Sequence, residues 1–212
     1  MALALVAVLV AVLLLGRSDD EPAALPGVPT AVPSAGTDGQ GASPSAEASP
    51  DGEGTDGAST GAATPAGWTE YTDDQYGWRI AVPPGFTQTS GRTSNQTDFR
   101  ESGTGRLLRV EIAPQANESA IGDWRSYEPT FAGQVGNYQR IRIDPADGGD
   151  GTQAADWEFT FSSGGGQLHV LNRGVIDGRT AHALYWQTPD SSWESSTALR
   201  DQIFSTFQPP PQ

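Results

Sequence analysis

An α+β fold, a mostly antiparallel sheet covered by two helices, is the expectation for residues 67–208 of this 212-residue sequence. Three observations carry it. Apolar and polar residues alternate over several short stretches, most clearly at Trp157, Phe159 and Phe161, which is the period of half-buried strands. Two other stretches repeat their apolar residues at helical spacing. Asp177-Gly178, between two strand-like patterns, is the dipeptide of a tight hairpin, so neighbouring strands run antiparallel and helices lie across the sheet.

The elements follow in order. Tyr76, Trp78, Ile80 and Val82 alternate with Gly77, Arg79 and Ala81 until Pro83-Pro84, which predicts a first strand at 76–82. Similar alternation predicts strands at 97–101, 107–113, 138–144, 155–161, 167–176 and 180–188. Ile121, Trp124, Phe131 and Val135 recur near helical spacing, predicting a helix over 119–134 that Pro129 should kink or split. Ser191-Ser192-Trp193-Glu194 has the form of a capping box, and the Leu199, Ile203, Phe207 repeat continues a second helix to Pro209. With Asp177-Gly178 as the central pair of a two-residue turn, Ile176 should face Arg179 and Arg173 should face His182.

The first third of the chain has another character. Residues 1–16 open on the apolar run Met1 to Leu15, which reaches roughly 22 Å as a helix, short of the ~30 Å hydrocarbon core. Part of a longer transmembrane helix, an uncleaved signal anchor and a buried helix all remain open, and the first is the expectation. The cell membrane is then one partner, through residues 1–16. Residues 17–66 hold no aromatic and are rich in Pro, Ala, Gly, Ser, Thr and acid, too little apolar surface to offset ordering entropy. A disordered linker is expected, reaching roughly 40 Å as a coil. Residues 67–208 form the globular domain and 209–212 a tail.

Composition excludes several functions. The net charge is −14, half of it in the linker, and all 12 basic residues are arginine. An acidic domain without a basic run is repelled by phosphate backbones, so no nucleic-acid partner is expected. The absence of cysteine removes disulfides, thiolate zinc sites and a lipidated cysteine anchor.

Candidate chemistry is sparse. Arg79, Arg109, Arg140 and Arg142 occupy polar positions of strands, with Glu111 and Glu158 among them. They form either a ligand surface for an anionic polymer or sugar phosphate, or a solvated face laced with weak ion pairs. Trp124 and Trp186 are candidates for stacking on a ligand, whereas Trp78, Trp157 and Trp193 fall in apolar stripes and are expected in the core. The predicted hairpin places His169 and His182 about 13 Å apart on one face, too far for a shared metal. Asp144, Asp147, Asp150 and Asp156 around a Gly-rich loop form either a calcium site, without the closing Glu of an EF-hand, or a solvated hairpin loop, and the latter is the expectation. Gly57-Ala58-Ser59-Thr60-Gly61 matches a hydrolase elbow by chance, since it lies in the linker. No cofactor, metal or catalytic residue is expected.

Tyr76-Gly77-Trp78-Arg79-Ile80-Ala81-Val82-Pro83-Pro84-Gly85-Phe86 resembles the opening of PsbP-like α/β/α sandwich domains. Asp123-Trp124-Arg125, Tyr138-Gln139-Arg140-Ile141 and the closing Ile203-Phe204-Ser205-Thr206-Phe207 are similar to the version in extracytoplasmic C-terminal regions of actinobacterial serine/threonine kinases and in LpqN-type lipoproteins. The resemblance spans about residues 67–208 and concerns fold more than chemistry. The missing lipobox cysteine disfavours the lipoprotein. A kinase catalytic part is missing too: the chain has no lysine, and Asp98-Phe99-Arg100 lacks the glycine of Asp-Phe-Gly. The resemblance implies a membrane-tethered extracytoplasmic sensory or ligand-binding module of a kinase-type receptor, not an enzyme, single-pass with residues 17–212 outside. Its partner would be an unknown extracytoplasmic ligand or protein. The alternative is a stand-alone secreted or wall-associated scaffold.

Overall fold

A computed structural model describes residues 62–91, 93–113, 116, 118–148, 152–178 and 180–211. The apolar run 1–16, most of the linker and the Gly57–Gly61 motif lie outside these residues. Among the described residues no helix is long and apolar enough to cross a membrane.

Nine strands and two α-helices are described. Strands β1 (Thr69–Thr72) and β2 (Arg79–Val82) form a small antiparallel pair. The main antiparallel sheet holds β3 (Phe86–Ser90), β4 (Gln96–Glu101), β5 (Leu107–Ala113), β6 (Gly136–Ala146), β7 (Gln153–Ser163), β8 (Gly166–Asp177) and β9 (Thr180–Pro189). Its order is β3-β4-β5-β9-β8-β7-β6. Helix α1 (Ala120–Ala132) follows β5 and α2 (Trp193–Ser205) follows β9.

Alternation along each strand divides the core in two. Leu107 and Val170 point to one side, and their neighbours Leu108 and Leu171 to the other. On the first side Trp124 and Phe131 of α1 pack on Trp157, Phe159 and Phe161. Phe131 meets Phe159, Trp157 and Phe161 edge-on at centroid distances of 4.9, 5.3 and 5.8 Å. Aromatic pairs in this arrangement contribute about 0.5–1.5 kcal/mol each beyond buried area. On the second side Ile203 and Phe204 of α2, with Trp78 and Ile80, cover Leu108, Leu171, Leu184 and Trp186. The α+β expectation, with helices on both sheet faces, therefore holds.

Several details differ from the sequence expectation. The strand expected at 76–82 begins only at Arg79, as β2, because the Asp73 carboxylate accepts from the Gln75 and Tyr76 amides and Gly77 turns the chain at φ +76°. Pro129 neither kinks α1 into two helices nor ends it. The helix runs on to Ala132, anchored by Trp124 and Phe131, and the Gly133 amide donates to the Pro129 carbonyl. The capping box is not formed: Asp190–Ser192 make a 3-10 turn and the Ser192 side chain makes no cap bond to α2. The hairpin turn falls one position later than expected. Asp177 pairs with Thr180 and Gly178 has φ +60°, so glycine opens the turn and Asp177 stays in the ladder. His182 consequently faces Val175, and Arg173 faces Leu184.

Candidate functional site

The sequence-predicted arginines stand at separate places, each against carboxylates. Arg79 begins β2, its guanidinium 3.9 Å from Glu70. Arg109 on β5 is buried and donates from Nε and Nη2 to both oxygens of Asp98, at 2.6 and 2.9 Å. The register of β6 on β7 shifts between Arg140 and Arg142, and the two side chains part company there. Arg140 reaches Glu128 of α1 at 2.9 Å, whereas Arg142 reaches Glu158 at 2.7 Å and Asp156 at 3.4 Å. Trp124 and Trp186 are both buried, in opposite cores, so neither presents an open stacking face.

A connected polar chain runs over β6, β7 and β8. Asp156 clamps Arg173 at 2.7 and 3.0 Å, Glu158 accepts from Arg142, and its other oxygen lies 3.0 Å from His169 Nε2. Nδ1 of the same ring lies 3.0 Å from Asp190, and the ring stacks on Trp193 at 3.6 Å. The His169 bond, outweighing burial, holds the Glu158 carboxyl below its usual range. Asp156 of the acidic Gly-rich loop is thus engaged by arginines, and Asp150 lies outside the described residues. His182, two residues farther along the register than expected, is about 20 Å of strand from His169. Among the described residues no group of three His, Asp or Glu side chains is arranged to hold a metal.

A concavity lies elsewhere among the described residues. Between the first turns of α1 and strands β5, β9 and β8 is a small cleft that opens to solvent. Its walls are mostly apolar, from Trp124, Ile176, Ala181 and Ala183, and Glu111 and Asp123 are the acidic residues along it. Gly174 makes it possible: a Cβ there would stand 3.0 Å from Trp124 Cζ2. The indole lies on the strand at that point, and its Nε1 donates to the Ala155 carbonyl at 3.0 Å.

Glu111 is the unusual member, only 4% exposed. Arg109, two residues away on the same face, is already engaged by Asp98. Glu111 is left with amide donors, Gln96 at 2.8 Å and Asn95. Burial pushes its carboxyl above the usual range, and the amides and Arg109 offset this only in part. Sequence reasoning placed Glu111 as a partner for arginine, since an acid between Val110 and Ile112 carries no mark of the cleft beside it.

The model of the serine/threonine kinase C-terminal domain family matches residues 70–209. The chain belongs to this family. The kinase C-terminal domain shares its fold with the solution structure of cyanobacterial PsbP (CyanoP) from Synechocystis sp. PCC 6803, at TM-score 0.55 and 18% identity, over 72% of this chain and 98% of that one. It is also similar to LpqN, involved in cell envelope biogenesis of Mycobacterium tuberculosis, at TM-score 0.39 and 14% identity, over 69% of this chain and 82% of that one. A protein of unknown function from Pseudomonas aeruginosa, PA94, aligns at TM-score 0.47 and 12% identity, over 68% and 99% of the two chains. No curated protein matches the sequence. The domain is thus PsbP-like and kinase-associated, in agreement with the resemblance carried by Tyr76–Phe86.

Proposed function

We propose that residues 67–208 act by binding, as the outer, ligand-sensing region of a receptor-type serine/threonine kinase. The kinase C-terminal family match over residues 70–209 carries this reading. With no lysine in the chain, this domain has nothing to offer phosphoryl transfer, and its contribution to a kinase is recognition. The apolar run at residues 1–16 supports attachment to the membrane, and the linker's composition supports a spacer between bilayer and domain. A spacer of that composition would transmit little torque, so a ligand would act by gathering copies of the receptor and raising the effective concentration of kinase partners. Fusions of green fluorescent protein and alkaline phosphatase after Gln212 test the placement. Phosphatase activity without fluorescence, and release of the domain by protease added to intact cells, is the expected result. Cytosolic fluorescence with a protected domain would refute it.

A further inference from the structure

The cleft beside Glu111 has a chemistry of its own. Burying a carboxylate without a cation is costly, and native proteins normally supply a counter-charge or keep the acid neutral. Here the adjacent guanidinium is committed to Asp98, and the space next to Glu111 is open and mostly apolar. A ligand that completes this site brings a positive charge on a compact head and an apolar stem. We propose that the cleft binds a primary ammonium group on a short alkyl chain. The ammonium meets the Glu111 carboxyl, and the methylenes lie against Ile176, Ala181 and Ala183.

The choice of head follows from the donor set. Glu111, held by the Gln96 and Asn95 amides, is fixed in orientation, and an ammonium's three donors suit a single carboxylate oxygen. Asp123, in the first turn of α1, adds negative charge to the same cleft, and the acidic domain around it draws cations inward. An anion or a neutral polyol would leave Glu111 without its counter-charge. This deepens the reading of the domain as ligand-binding, and it stands or falls separately from the domain's position relative to the membrane.

The test uses the purified 212-residue chain, titrated calorimetrically with n-butylammonium chloride and with n-butanol at constant ionic strength. Saturable binding of the amine is expected, with the alcohol weaker by about tenfold or more because a charged hydrogen bond is lost. Glu111→Gln should bring amine binding down to the level of the alcohol. Ala181→Leu, which fills the cleft and keeps the carboxyl, should remove binding of both, and its folding is checked by tryptophan fluorescence. Equal affinity for amine and alcohol, undiminished amine binding in either variant, or no saturable heat with the unaltered chain at millimolar amine overturns the proposal. The fusion experiment on Gln212 reads placement alone, so failure of one is distinguishable from failure of the other.

Discussion

Acid should loosen this domain through His182. The ring is 2% exposed, neither nitrogen has a hydrogen-bond partner among the described residues, and its neighbours on the adjoining strands are Ile112 and Val175. The Phe207 ring lies 5.3 Å away. Burial pushes the imidazole pKa from 6.5 down to about 4. Because the folded state resists protonation that the unfolded chain accepts, the unfolded chain binds more protons between these two values. Stability attributable to His182 is therefore intact above pH 6.5, declines as pH falls, and is fully lost below about 4. That difference corresponds to roughly 3 kcal/mol. His182→Leu removes the titrating group and keeps an apolar side chain against Phe207. Urea midpoints of both proteins, followed by tryptophan fluorescence at pH 7, 5.5 and 4, give the comparison. Glu111 has the opposite sign, since its raised pKa penalises the folded state once it ionises, but it is common to both proteins and cancels. The wild type should lose ground steadily to His182→Leu on acidification. A gap between the two midpoints that stays constant across the range would refute the reasoning.

Other expectations concern buried groups. Asp98→Ala strands the buried Arg109 charge and should cost about 3–5 kcal/mol, whereas the double change Asp98→Leu, Arg109→Met should cost less than that single change; equilibrium unfolding of the two decides. Gly174→Ala drives a methyl into the Trp124 indole and should cost about 1–3 kcal/mol with a shift of the indole N–H resonance, since the bond to the Ala155 carbonyl is strained. Asn172 is fully buried and its amide has no partner among the described residues, so Asn172→Leu should be neutral or stabilising; a loss above about 1 kcal/mol would show that the amide is used.

The sequence was most legible where burial imposes a period. Trp157, Phe159 and Phe161 could be assigned to one face because β7 is an inner strand packed under α1. Helix α1 was visible through Trp124 and Phe131 for the same reason. Strands β1 and β3 were not anticipated: Thr69–Thr72 and Phe86–Ser90 each bury at most one side chain in part, and edge strands made of polar residues leave no alternation to find. The hairpin register was misplaced because Asp-Gly identifies a turn without stating whether glycine comes first or second in it. The arginines looked like a surface because polar positions on strands suggest exposure. Arg109 is instead inside, and nothing in Leu107-Leu108-Arg109-Val110-Glu111 announces that Asp98 on the neighbouring strand receives it.

The strand order constrains biosynthesis. The β3-β4-β5 meander and the β6-β7-β8-β9 meander join only where β5 meets β9, and Leu107 must wait for Gln187 before that seam can close. Gln208 then bonds back to Arg79 through both backbone groups at 2.9 Å, clasping the first strands to the last residues. A chain still on the ribosome at residue 180 therefore carries two half-sheets with naked edges, exposed to mispairing. A premature stop there should yield a substrate for quality-control proteases, not a partly working domain.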